Sequence, residues 1–306
     1  MFLQKEFQSA TFLAMDVTCR YVPYLTKVSE ALTHLQPLQE MRHCLSVMHA
    51  KAHNTKCEIL WTARNQEGAG TTLGEEVEQV NSFLSRCALT TKYIAKSVRT
   101  DMLTVHAMGW NERKENGLHI ALSSRFKKTV EKTVDVAESL KTMQEQLHCC
   151  DDMLKQWVVD VKQWASSNGV DILTKKKLFD HVMLASRLKE EKQILVKEML
   201  QHCQYLKDSV AKVQTLMGTV LVSTQTGSLP NGLTEEGSKG LISALKRRLQ
   251  DLRLQQQTIA GTYRCTLKPS NRLVEEEDRE MEEDMDWQRG NSSDDDDSDE
   301  EEDAAN

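Results

Sequence analysis

The feature that most limits what this chain can fold into is an apolar stripe with a 3.5-residue period. Leu122, Phe126, Val130, Val134, Ala137, Leu140, Met143, Leu147, Cys150, Leu154, Trp157, Val161 and Trp164 follow one another at steps of three and four only. A straight helix repeats every ~3.6 residues; the shorter period keeps one seam facing a partner, as in a coiled coil. A second stripe runs Leu178, Val182, Ala185, Leu188, Leu195, Met199, Cys203, Leu206, Val210, Val213, Met217 and Val220. A third holds Ile242, Leu245, Leu249, Leu252 and Ile259. SSNG (166–169) separates the first two, with Gly169 suited to a left-handed C-cap, and QTGSLPNGL (225–233) separates the last two. Helices joined by short breaks fold back as an antiparallel hairpin or bundle. Residues 113–265 are therefore expected to form a helical coiled-coil region whose Met and Trp residues pack the core.

Other classes fall away quickly. Four prolines in 306 residues agree with long helices and not with an all-β sandwich. No apolar run approaches the ~18–20 residues of a membrane span. Lys5 and Glu6 interrupt any signal-peptide core, so the expected location is nuclear or cytoplasmic, not secreted, with no membrane partner. Eight cysteines in such a chain read as reduced thiols.

Charge is divided unevenly. Residues 274–306 hold 18 acids and 2 bases, a net −16, while the remainder holds 37 bases and 28 acids, a net +9. Like charges at the density of EEEDREMEEDMD and DDDDSDEEED cannot bury a core, so residues 266–306 are expected to be a disordered acidic tail. The basic body leaves two readings open, a nucleic-acid partner or a solvated helical surface.

Residues 1–112 have a mixed pattern. ATFLAMDVTC (10–19) is an apolar run ending in an acid, which suits a buried strand. TKVSEALTHL reads as a helix, and CLSVMH and CEILWT as two further strands around a His-rich turn. After the loop NQEGAGTT, residues 74–87 read as a helix with Val77, Val80, Phe83, Leu84 and Cys87 on one side.

Within this region the motifs run in a fixed order: MDVTCRY (15–21), MHAKAHNTKC (48–57), EGAGTTLGEEVE (67–78), TTKYI (90–94), RTDML (99–103) and GWN (109–111). Their order and spacing resemble the Kyakuja–Dileera–Zisupton (KDZ) transposases over roughly residues 10–145. That resemblance implies an RNase H-like fold and two-metal DNA cleavage with Mg²⁺ or Mn²⁺. Such chemistry needs carboxylates converging on two cations about 3.5–4 Å apart. Asp16 matches the family's second acid and Glu75 its third, with Glu78 one turn on as a supporting acid. Arg99 and Asp101 match its R-x-D pair and Trp110 its aromatic, and Lys92 or Arg99 are candidate phosphate contacts. Each acid keeps a plainer alternative: Asp16 as a turn cap, Glu75 and Glu76 as complements to a helix dipole.

The sequence also departs from the family. The family's first acid lies on a strand before that of Asp16; nine residues precede Ala10 here and none is Asp, so an incomplete triad is expected. Leu73 and Glu76 stand where the family pattern has Asp and Gly. His49, His53 and Cys57, at steps of four, are borderline-soft ligands that suit Zn²⁺, with Cys19 as a fourth. The alternative is that the histidines bond to backbone and the cysteines pack as small hydrophobes.

These readings combine into a mainly α chain: a partial RNase H-like α/β remnant (1–112), long coiled-coil helices (113–265) and the acidic tail (266–306). The expected function is that of a transposase-derived, DNA-associated protein, catalytically incomplete. The competing reading is a non-enzymatic coiled-coil scaffold that self-associates and whose tail binds a basic protein.

Overall fold

The computed structural model describes residues 10–72, 74, 76–166, 173–225 and 234–268. Glu75, Leu73, Gly169, residues 226–233 of the expected 225–233 loop and residues 269–306 of the expected 266–306 tail lie outside the described residues. Helix dominates. The chain divides into two compact units, Met1–Leu200 and Gln201–Asn306.

The first unit opens with strand β1 (Phe12–Ala14), helix α1 (Thr18–Ala31), a short α2 (Gln36–Glu40) and strand β2 (Arg42–Cys44). The two strands pair in parallel, Leu13 opposite His43, as a strand–helix–strand connection allows. Thr18, fully buried, ties the strand ends together: its hydroxyl donates to the carbonyls of Met15 and Cys44. Phe12 packs on the buried Cys44, Ala63 and Ala69 beside this small sheet.

Of the two further strands expected from CLSVMH and CEILWT, the first holds only at its start, where Cys44 ends β2, and the second is corrected to helix. Past Cys44 the chain bridges once, Leu45 to Thr62, and then forms α3 (Val47–Ala52) and α4 (Thr55–Trp61). The physical reason is capping. The Ser46 hydroxyl accepts from the His49 amide at α3, and the Asn54 side chain accepts from the Cys57 amide at α4. Each cap satisfies an otherwise orphaned donor, which outweighs the β-preference of short apolar runs.

Helix α5 (Glu76–Ser85) and α6 (Ala88–Thr91) follow. The face expected on α5 is only partly right: Phe83 is half-buried and Cys87 buried, but Val77 and Val80 are exposed, and Glu78 turns inward instead. Phe83 packs on Trp110 with ring centroids 4.4 Å apart and planes tilted by 41°.

Helix α7 (Lys96–Gln146) is 51 residues long, so position 112 falls inside one continuous helix. The first apolar stripe is interrupted where α7 ends: His148 has φ +47°, and α8 (Asp151–Ser166) restarts with two acids in its first turn. Leu147 and Cys150, expected on the stripe, are exposed there. α9 (Leu173–Gln225) begins in the first unit and runs into the second. Ile59 of α4 meets Val161 and Ala165 of α8 and Phe179 and Met183 of α9 in one core cluster. Cys149, Leu154 and Leu178 form another, under Trp157.

The second unit is a helical hairpin of α9 past Gln201 and α10 (Glu235–Leu267). Its antiparallel register is fixed at both ends. His202 Nδ1 lies 2.7 Å from the Tyr263 hydroxyl, and Thr224 Oγ1 lies 2.7 Å from Ser238 Oγ. Cys203, Leu206, Val220, Leu249, Leu252 and Ile259 are buried, as the second and third stripes require. Among the described residues no helix is long and apolar enough to cross a membrane.

Candidate metal centres and a basic cleft

Two clusters of ligand-type side chains lie in the first unit, each with its donor atoms within 4.8 Å of one another. The first joins Asp16, His49 and Glu78. Asp16 follows β1 directly and is exposed; His49 sits on α3 and Glu78 on α5, both half-buried. Asp16 Oδ1 is 3.3 Å from His49 Nδ1, and the same nitrogen is 2.7 Å from Ser46 Oγ. Gly74 brings α5 in. It has φ +72°, and an added Cβ would lie 3.4 Å from both Ala14 Cβ and Ser46 Cα. Glu78 Oε2 is buried with no hydrogen-bond partner among the described residues. A buried carboxylate oxygen without a partner is costly, and a divalent cation is one group that satisfies it. The two carboxylates suit Mg²⁺ or Mn²⁺, and the imidazole, a softer donor, favours Mn²⁺ of the two.

The second cluster joins Cys19, His53 and Cys57. Cys19 lies in the first turn of α1, His53 caps the end of α3 in an extended conformation, and Cys57 lies in the first turn of α4. Cys19 Sγ is 3.5 Å from His53 Nδ1. Burial, then the neighbouring Cys19 thiol, push the Cys57 thiol above its ordinary pKa. The four residues grouped from sequence as a zinc set are thus divided: His49 joins the carboxylates and the other three stay together.

The glycine-rich loop between these clusters is held from far along the chain. Glu190 accepts from the Gly68 amide at 2.8 Å and pairs with Arg187 at 2.5 Å, and Arg187 also donates to the Gln66 carbonyl. Glu191, fully buried, accepts from the Thr71 amide at 2.8 Å and pairs with Arg125 of α7 at 2.5 Å. Burial, partly offset by Arg125 and reinforced by Glu191, raises the pKa of the Glu198 carboxyl, about two helical turns beyond. Sequence reasoning missed Arg187 and Glu191, yet a signal exists. The second stripe jumps seven residues from Leu188 to Leu195, and a charged pair, Glu191–Lys192, fills the gap.

Beside the loop lies a cleft of about 620 Å³ whose walls include Lys51, Arg64, Thr71, Arg125 and Lys132, with two acids, Glu58 and Asp180, that both pair with Lys176. Lys128 and Lys132 line an adjoining hollow. Arg125 is committed to Glu191, but Lys51, Arg64 and Lys132 have no ion-pair partner among the described residues. Of the phosphate contacts expected from sequence, Arg99 is occupied otherwise: it donates to the carbonyls of Thr91 and Lys92 at the end of α6. Lys92 lies over the Tyr93 ring, and Asp101 is exposed.

Residues 2–111 match the family model described as Kyakuja-Dileera-Zisupton transposase. Over that stretch the chain is similar to KDZ transposases, the family its motif order resembles. The match includes both metal-type clusters and the glycine-rich loop, but not the residues of α7 and α9 that hold the loop. No curated protein and no solved structure matches the chain.

Proposed function

We propose that this transposase-derived chain associates with DNA, holds a divalent cation at Asp16, His49 and Glu78, and does not cut DNA by itself. The observation that carries the reading is the position of the basic cleft. It is lined by Val47 and Gln79, neighbours in sequence of the helix residues His49 and Glu78, so cationic walls and a cation-type cluster share α3 and α5. Lys51, Arg64 and Lys132, without ion-pair partners among the described residues, are suited to neutralise phosphates. Glu75, three residues before Glu78 in the sequence, remains the family-matched partner acid in this proposal.

The absence of cleavage follows from charge. Among the described residues the cluster brings together two carboxylates, Asp16 and Glu78, which balance one dication, whereas two-metal phosphoryl transfer places two dications about 3.5–4 Å apart and needs more anionic ligands. When bound, the cation supplies charge neutralisation for a phosphate; Asp16 and Glu78 orient it and His49 completes the set. The test pairs a duplex-binding titration over a range of salt with a nicking assay in Mg²⁺ or Mn²⁺. Binding that weakens steeply with salt, with no nicking, is expected. Nicking abolished by Asp16→Asn or Glu75→Gln overturns the inactive reading, and salt-independent or absent binding overturns the DNA reading.

The scaffold reading keeps one supporting observation. The hairpin of the second unit leaves Tyr205, Leu216, Val222 and Leu254 exposed along its helices, and such residues favour self-association through a further helix. Sedimentation of the full chain decides this: a concentration-independent monomer removes it.

A further inference from the structure

We propose that Cys19, His53 and Cys57 form a zinc site, distinct from the carboxylate cluster, with three protein donors and a fourth position open to water. Three separate elements deliver the donors to one point. Cys19 comes from the start of α1, His53 from the end of α3 and Cys57 from the start of α4, a sequence separation of 34 between the first two. Zinc binds thiolate sulfur at about 2.3 Å and imidazole nitrogen at about 2.0–2.1 Å, so a tetrahedral angle places those atoms about 3.5 Å apart. Cys19 Sγ and His53 Nδ1 are 3.5 Å apart.

The chemistry of the set selects the metal. Two thiolates and a neutral imidazole carry two negative charges and are borderline-soft, which matches Zn²⁺ and disfavours Mg²⁺. Binding replaces two S–H bonds by two S–Zn bonds and releases both protons to solvent. Among the described residues the polar contacts of the three side chains run only to one another, so no competing partner holds them. All three are half-buried, which leaves an approach for the fourth ligand. The backbone supports the arrangement independently of any metal. The Asn54 side chain fixes Cys57 through its amide, and the His53 amide donates to the Ala50 carbonyl. In a fold with so small a sheet, such a site would pin α1 to the α3–α4 turn.

The test uses the full chain purified under reducing conditions, equilibrated with zinc, desalted and measured for metal content. One zinc per chain is expected, and cobalt in its place should give thiolate-to-metal charge-transfer absorption. The double variant Cys19→Ser, Cys57→Ser should lose both, and His53→Gln should lose the stoichiometric zinc while far-ultraviolet dichroism reports the helices intact. Asp16→Asn and Glu78→Gln should keep the zinc, which separates this site from the proposed DNA-associated cation. Absence of retained zinc, zinc retained by the double serine variant, a cobalt spectrum without thiolate bands, or a Cys19–Cys57 disulfide in the freshly purified chain would each overturn the proposal.

Discussion

Replacing Gly70 by alanine tests how firmly the long helices grip the glycine-rich loop. Gly70 has φ +57°, a conformation that costs an alanine roughly 1–2 kcal/mol. The added Cβ would also lie 2.5 Å from Glu191 Oε2 and 2.9 Å from Ile194 Cδ1. Glu191 cannot simply swing aside, because it is fully buried and bound to the Thr71 amide and to Arg125. Losing one charge-assisted hydrogen bond of that kind costs about 1.5–3 kcal/mol. The two effects together predict a loss of about 2.5–5 kcal/mol. Gly109 supplies the control. It lies inside α7 with nothing within 4 Å of a built Cβ, so alanine there should stabilise by up to about 1 kcal/mol, a change of opposite sign. Equilibrium urea unfolding of the full chain, followed by far-ultraviolet dichroism, measures both. A Gly70→Ala chain as stable as the parent would refute the reasoning. So would a loss that persists unchanged when Glu191 and Ile194 are both truncated to alanine, beyond the share expected from φ alone.

Three further outcomes follow from the same structure. Burial lowers the His43 pKa from its ordinary 6.5, against a smaller opposing effect of a backbone hydrogen bond at Met41. The unfolded chain then takes up a proton near pH 6.5 that the folded chain refuses, so His43 contributes a loss of stability as pH falls below that value; denaturation midpoints at several pH values should show a shallower decline in His43→Gln. Leu206→Ala, at a site 3% exposed in the hairpin, should cost about 2–5 kcal/mol in urea unfolding, and a change under half a kilocalorie would mean the seam is not core. Removing residues 274–306 takes away a net −16, so DNA affinity should rise, and more at low salt, where a mobile-ion atmosphere screens less; equal affinity with and without the tail at low salt would exclude competition by the tail.

What could be read from the chain depended on how local the deciding forces are. The long helices were legible because their stripes repeat: Leu178, Leu188, Leu195 and Leu206 are all nearly fully buried, as the spacing demands. The short elements near the site were not, because capping decides them. Ser46 and Asn54 each convert an apolar run that reads as strand into a helix through one side-chain hydrogen bond. The residues of the two metal-type clusters were visible as motif positions, but their grouping was not. His49 and His53 stand four apart, a spacing that puts two side chains on one face of a continuous helix, yet α3 ends at Ala52 and His53 turns out of it toward Cys19. The grip on the glycine-rich loop lay furthest from sequence reach. It depends on charges more than a hundred residues away, and a Glu at a core position of a coiled-coil stripe reads as a flaw until Arg125 and the Thr71 amide are seen to surround it. That interruption is the link between the KDZ-matched segment and the helices beyond it: the stripe gives up one apolar layer at Glu191 so that a single buried carboxylate joins α7, α9 and the loop between the two clusters.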